Sequence, residues 1–466
     1  MPANLRLPLG LPLQASAANF HADAQTLEDL NIPGRHKTRS VARMFDATVT
    51  SGGRKAMERM FACPLKDPDE IASRSAIFQY FAAREVAFPF SSEEIEVLEG
   101  YLAGGGGHRL QVAASAARSK LLEVSIQDPA YMELKQGICR TIALLGKLHA
   151  TLACLDEVGS PLQVQVRAIR QILCHSLLFG LESLGEDQIS FGDLVRYDFL
   201  FRTTLRGPMQ HLLEFVFDLD VFIAVAGVGN ARGFTYARAL PKTANMLVIT
   251  QLFHPAIDRP IGNSLSMDRA SNAMFLTGAN MAGKSTLMKA FGICIYLAHM
   301  GFPVPASYML FSVKDGLYTS INLPDNLSQG HSHFYAEVLR VKSVATQIAT
   351  GKDLFVVFDE LFKGTNVKDA FDATLSLTEA FAKNKDSFFL LSTHITEVAH
   401  ALSQRCENFT FNYFPTVMRG AKPSYTYRLA DGITEDKQGM LIIENEGIID
   451  LILAAGAKTA ELPLVQ

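Results

Sequence analysis

Four things are scarce in this chain of 466 residues, and each scarcity closes a route. There is no cationic excess, since 43 Lys and Arg stand against 47 Asp and Glu for a net charge of −4. The balance holds along the chain, with 24 against 26 up to residue 240 and 19 against 21 after it. A protein held on duplex by roughly 6 to 10 phosphate contacts needs clustered cations. The densest candidates are only Arg35, His36, Lys37, Arg39 and Arg43, then Arg54, Lys55 and Arg59. Cysteine is sparse and unpatterned: Cys63, Cys139, Cys154, Cys174, Cys294 and Cys406 lie scattered in apolar surroundings and read as buried reduced thiols, with no zinc site or disulfide framework. Apolar runs are short, those at 215–228 and 291–302 being broken by Asp218, Asp220 or His299. The N-terminus is interrupted by proline and has no sustained apolar core, so the expectation is a cytoplasmic protein without signal peptide or membrane anchor. Repeats and low-complexity tracts are missing too.

What is present suits a helical domain and an α/β domain, with 48% hydrophobic and 19% charged residues. An acidic helical stretch at 91–102 leads into the four glycines Gly104 to Gly107, a slack connection, and then a long helical region at about 109–184. Within it, TIALLGKLHATLACLDEV and QVRAIRQILCHSLLFGLESL each show one apolar face at helical spacing. Gly227 to Tyr236 reads as a hinge, with a sheet beginning near Asn245.

The most informative segment is NAMFLTGANMAGKSTLMKAFGICIYLAHMGFPVP, from Asn272 to Pro305. An apolar strand, Ala273 to Thr277, runs into a glycine loop and a helix, and the loop fits G-x-x-x-x-G-K-[ST] at Gly278, Gly283, Lys284 and Ser285. Such a loop, Gly278, Ala279, Asn280, Met281, Ala282, Gly283, Lys284, Ser285 and Thr286 here, closes backbone N–H groups around an oligophosphate. The helix points its positive end at the anion, Lys284 reaches the terminal phosphates, and Ser285 offers a hydroxyl to Mg²⁺. ATP with Mg²⁺ is the expected ligand.

Leu354 to Glu360, LFVVFDE, is an apolar run too short for a helix that ends in two carboxylates, as a buried parallel strand would. Asp359 suits the outer shell of Mg²⁺ and Glu360 suits the base that polarises the attacking water. A third strand, Ser387 to Ser392, delivers Thr393 and His394, where a histidine could sense a γ-phosphate. LSQGHS, with Ser328, Gly330 and Ser332, leads into a helical stretch and could bind an anion at the helix start.

Together these segments resemble the MutS family of ATPases, related to DNA mismatch repair proteins and more distantly to ABC-type ATPases. The matching stretches are TGANMAGKST at 277–286, DNLSQGHSHFYAE at 325–337, DELFKGTN at 359–366, Ser392-Thr393-His394, His254-Pro255 and the GxxVPA pattern at 301–306. Upstream, Asp46, Thr48, Thr50 and Gly53 follow the family's D-x-T-x-T-x-x-G pattern, with Lys55 in place of its arginine, and residues 195–240 resemble the descending lever. The resemblance implies a mixed fold: an N-terminal all-α lever/core domain, then an α/β P-loop NTPase domain of ABC-ATPase type. Its divisions would be an arm at 1–18, a helical core/lever at 19–239 and an ATPase domain with a C-terminal dimerisation segment at 240–466.

The resemblance further implies a homodimer in which ATP on the loop of one protomer is capped by Ser332 and its neighbours, the trans-acting loop, from the other. Glu360, His394 and Lys284 would be catalytic, with Ser285 and Asp359 on the metal. His331, His333 and Lys363 depart from the family's pattern at positions serving communication across that dimer. Because the core pattern begins near residue 19, the expectation is that the family's mismatch-reading and connector domains are absent, and the interval between Phe81 and Arg196 is short for an inserted clamp, which is expected to be reduced or absent. Two functions stay open: an ATP-driven protein acting on DNA in repair or recombination, on distorted structures rather than mismatches, or an ATP-dependent module acting on a protein partner.

Overall fold

The computed structural model describes residues 19–33, 40–84, 86–104, 129–155, 158–178, 181, 189–279, 281–321, 333–362, 365–419, 422–434 and 447–453. The N-terminal part is built mostly of helices: α1 (Ala24–Asp29), α2 (Val41–Phe45), α3 (Ser51–Ala62), α4 (Pro68–Ala82), α5 (Ser92–Ala103), α6 (Pro129–Leu155), α7 (Gln163–Leu173), α8 (Phe191–Phe199) and α9 (Arg206–Ala231). The first five start where a side chain satisfies an orphan N–H of the first turn: Asp23, Ser40, Thr50, Asp67 and Ser91 each accept such a bond. A five-residue π-helical turn at Leu200–Thr204 joins α8 to α9. Helix α9 is the axis of this part, packed by α3 and α4, with Leu212, Val216, Val221 and Val225 fully buried.

The strands are β1 (His21–Ala22), β2 (Thr235–Tyr236), β3 (Arg238–Leu240), β4 (Met246–Leu252), β5 (Asn263–Asp268), β6 (Ala273–Thr277), β7 (Pro303–Val304), β8 (Tyr308–Ser312), β9 (Gly316–Ser320), β10 (Leu354–Asp359), β11 (Phe388–Ser392), β12 (Phe409–Tyr413), β13 (Thr416–Arg419), β14 (Lys422–Tyr425) and β15 (Ala430–Asp431). The main sheet runs β1-β9-β10-β11-β6-β12-β15 and is parallel except for β15. A second sheet, β3-β8-β4-β5, flanks it, while β2 pairs with β7 and β13 with β14. Between the strands lie α10 (Lys284–His299), α11 (His333–Ala349), α12 (Val367–Ala382) and α13 (Thr396–Arg405).

Strands β6, β10 and β11 are buried on both faces, which explains their unbroken apolar sequences. Alternate residues face opposite cores. Met274, Leu276, Phe355, Val357, Phe388 and Leu390 join α10 and the helical part in one cluster. Phe275, Val356, Phe358, Phe389 and Leu391 pack with α11, α12 and α13 in the other.

The helical part and the sheet therefore share a core, and the far end of α10 is where they are tied. Tyr296 donates to the Phe61 carbonyl at 2.5 Å, the Leu65 N–H to the His299 carbonyl at 2.7 Å, and Arg74 to the Met300 carbonyl at 3.1 Å. The Phe20 ring stacks on His299 with centroids 3.7 Å apart. At the sheet edge, Asp29 accepts bonds from Thr319 Oγ1 at 2.7 Å and from the Ile321 N–H at 2.9 Å, and Arg340 on α11 pairs with Asp23. Asp315 gathers Lys66 and Lys242. Burial alone would raise its pKa, but the bonds from Lys242 and Lys66 hold it down to about 2.

Several expectations change in detail. Residues 21–22, 235–236 and 238–239, expected in an all-helical part, lie in strands; β1 joins the main sheet, so its edge is supplied by residues 21–22. Gly227 and Gly229, expected in a hinge, lie inside α9, where Gly229 lets Pro303 approach: a Cβ there would stand 2.9 Å from the proline ring. The thiols are free, yet Cys154 and Cys174 are exposed, because each lies at the end of a helix rather than on its packed face. Of the long helical region only 129–155 and 163–173 are described as helix, and Gly105 to Gly107 lie outside the described residues. Among the described residues one helical segment, Met132–Leu155, is long and apolar enough to cross a membrane, and half of its most apolar window is buried against neighbouring helices.

Candidate functional site

Three strand ends converge. In the order β10-β11-β6, Asp359 is level with Ser392 and Ser392 with Leu276, so the segments leaving these strands lie side by side at the carboxyl edge of the sheet, where open α/β sheets present their ligands. Beyond β6 the loop turns through Gly278 and Gly283, at φ +133° and +115°, which side chains rarely adopt. Gly283 is also the first flank of α10, and no side chain caps that helix start, so its N–H groups remain directed into the loop.

Within the loop Ala282 is buried and Met281 is 84% exposed with φ +67°; Ser285 and Thr286 are exposed. Lys284 is buried at 4% exposure, its ammonium donating to the Gly278 carbonyl at 2.7 Å and the Ala279 carbonyl at 3.1 Å. The Ser285 hydroxyl donates to Asp359 Oδ2 at 2.5 Å, and the Ser392 hydroxyl donates to Asp359 Oδ1. One hydroxyl and one carboxylate in contact form the all-oxygen donor set that a small hard cation such as Mg²⁺ takes, so the residues present fit that ion.

Glu360 follows at φ +56° and Phe362 at +63°, two left-handed residues in one short turn. Backbone strain of this kind persists where the surroundings over-determine it, and it clusters at functional sites. The Glu360 N–H donates to the Ser392 carbonyl at 3.1 Å, and its carboxylate meets His394 Nε2. After β4, burial, with Lys289 on α10 adding to it, holds the His254 imidazole below its ordinary pKa.

Gly278, Ala279, Met281 to Thr286, Asp359, Glu360 and His394 are thus assembled in one place. Asn280, Ser328, Gly330 and Ser332 lie outside the described residues, as do His331 and Lys363. The structure also adds residues that no motif marked. Phe414 and Tyr427 crowd the loop glycines, so that a Cβ on Gly283 would stand 3.5 Å from Tyr427, a ring 46% exposed. Thr434, whose N–H donates to Thr277 Oγ1 at 3.0 Å, is another. The sole signal of Phe414 and Tyr427 in the sequence was an aromatic character shared with dozens of other positions.

A parallel sheet with a glycine loop, a lysine, a hydroxyl and an acid gathered at its carboxyl edge defines an α/β domain of ATPase type. Comparison with known proteins narrows this further. Residues 274–463 match the family model of MutS domain V. The chain is 30% identical over 261 residues to the DNA mismatch repair protein MutS of Geobacillus thermodenitrificans, covering 54% of this chain and 28% of that protein. It is 31% identical over 207 residues to MutS protein homolog 4 of Homo sapiens, covering 42% and 22%, and 28% identical over 251 residues to MutS of Pseudothermotoga lettingae, covering 53% and 30%. The match over residues 274–463 and these relatives of the C-terminal half are consistent with a MutS-family protein. The chain spans less than a third of the length of these relatives.

Proposed function

We propose that the chain binds and hydrolyses ATP with Mg²⁺ at this site, in service of DNA mismatch repair or recombination. The observation that carries the reading is the bond between Ser285 and Asp359, which joins the loop hydroxyl to a strand acid 74 residues away. In this reading the domain is of the P-loop, ABC-ATPase type, preceded by a helical lever. Ser285 and Asp359 hold the metal, which supplies neutralisation of charge on the phosphates. Lys284 exchanges its carbonyl partners for the stronger phosphate acceptors. Glu360 and His394 touch each other here, so they part before a water can sit between them; Glu360 then orients that water while His394 faces the γ-phosphate.

The same reading has two cytoplasmic protomers acting as a dimer, each lending Ser328, Gly330 and Ser332 to its partner's nucleotide, with distorted DNA rather than a mismatch as target. The even charge balance favours keeping a second reading, an ATP-switched module that acts on a protein. The test is the ATPase rate with duplex, mismatched, four-way-junction and single-stranded DNA at two salt concentrations. Glu360→Gln is expected to bind ATP without turning it over. Stimulation by one DNA, weakened by salt, supports the DNA reading; a DNA-independent rate without binding at low salt points to the protein partner. Hydrolysis unchanged in Lys284→Ala would overturn the site itself.

A further inference from the structure

We propose that Ser392 is a positioning residue of the metal site, holding Asp359 ready for the cation. This deepens the nucleotide reading above and rests on it. Ser392 closes β11 and directly precedes Thr393 and His394.

The contacts converge from three directions. Ser392 ends β11 level with Asp359 at the end of β10, and at 2% exposure its hydroxyl donates to Asp359 Oδ1. The opposite oxygen, Oδ2, takes the Ser285 proton from the loop helix. The carbonyl of the same Ser392 accepts the Glu360 N–H at 3.1 Å, and two residues further His394 meets the Glu360 carboxylate. Ser392 therefore ties the metal acid and the water-orienting acid to one strand end.

The physical consequence follows from how a carboxylate can move. A terminal carboxylate on a strand has a broad torsion about its last bond, and fixing it is a cost that binding must otherwise meet. A charge-assisted bond from a buried hydroxyl fixes the plane of the Asp359 carboxylate before the cation arrives. Ser285 keeps a lone pair for the cation while still donating its proton to Oδ2, so the Ser392 contact and cation binding are compatible. With alanine at 392, Oδ1 loses its donor and the carboxylate regains a rotation.

The test measures Mn²⁺ binding by electron paramagnetic resonance on the full chain with a non-hydrolysable ATP analogue, beside analogue binding without metal. Ser392→Ala is expected to raise the Mn²⁺ concentration for half-saturation about tenfold, the size of one lost hydrogen bond to a charged group. Metal-free analogue binding should stay within about twofold, because the glycine loop is untouched. Ser392→Thr, which keeps the hydroxyl, should restore most of the Mn²⁺ affinity. Equal half-saturation in wild type and Ser392→Ala overturns this role, and so does equal weakening in the alanine and threonine variants, which would make it a packing effect. Absence of analogue-dependent Mn²⁺ binding in the wild type would instead sink the nucleotide reading and this role with it.

Discussion

Asp220 in the helical part and Asp359 at the sheet edge are both buried acids with both oxygens engaged, yet their partners differ in kind. Asp220 accepts the Val49 N–H at 3.0 Å, the Thr50 N–H at 2.8 Å and the Thr50 hydroxyl at 2.7 Å. These are mostly backbone donors at the start of α3, and they cannot turn away. Asp359 is met by two serine hydroxyls that can rotate, one of them on the phosphate loop helix. Burial alone thus says nothing of chemistry; the mobility of the partners separates an acid that locks helices together from one that can receive a cation.

The largest effect that would test this contrast is on Asp220. Asp220→Ala strands several buried donors at once, each costing about 1–3 kcal/mol, so urea unfolding should show a loss of about 3–5 kcal/mol. A loss under about 1 kcal/mol would mean that water replaces the carboxylate and that the helix lock is illusory.

Asp218, two residues earlier on α9, sharpens the contrast from the other side. Burial pushes its pKa up to about 8, with Arg59 and Arg74 opposing and Glu214 adding to the rise, and Oδ2 has no hydrogen-bond partner among the described residues. Its folded pKa lies above its unfolded value of 3.8, so its contribution to stability is full below about pH 4 and is lost as pH rises toward 8. Asp218→Asn removes that dependence. The variant's stability relative to wild type should climb across this window by up to about 1.4 kcal/mol per pH unit, read from melting curves at pH 4, 6 and 8. A difference that stays flat with pH would show the carboxyl to be solvated.

The smallest change in stability is expected at the site. Asp359→Asn keeps the shape and one acceptor, so unfolding free energy should stay within about 1 kcal/mol of wild type, while titration calorimetry should find metal-dependent nucleotide binding lost. A fall as large as that of Asp220→Ala would make Asp359 another structural lock.

How much of this was legible differs by element. Strands β6, β10 and β11 could be read because a strand buried on both faces has nowhere to put a polar residue, so the run of apolar letters gives both its type and its length. The loop glycines were legible because their positive φ leaves few alternatives to glycine. Gly53, matched only as part of a pattern, gains its reason from the fold: a Cβ there would stand 2.3 Å from Asp220 Oδ2. Strand β1 could not be read, since two residues carry no periodicity and its pairing with β9 spans almost 300 residues. Gly227 and Gly229 misled because glycine marks turns locally, whereas here close packing on Pro303 keeps one of them in a helix.

By itself the sequence determined the glycine loop, the order of strand, loop, acid and histidine, and the similarity of its second half to MutS proteins, because each is written in adjacent residues. Tertiary structure decided which of the buried acids meet hydroxyls and which meet amides, that the edge of the sheet comes from residues 21–22, and that Ser392 faces Asp359. Those facts depend on the register between strands and on helices packed across a shared core. Both are set by side chains far apart in the chain, whose partners no local pattern names.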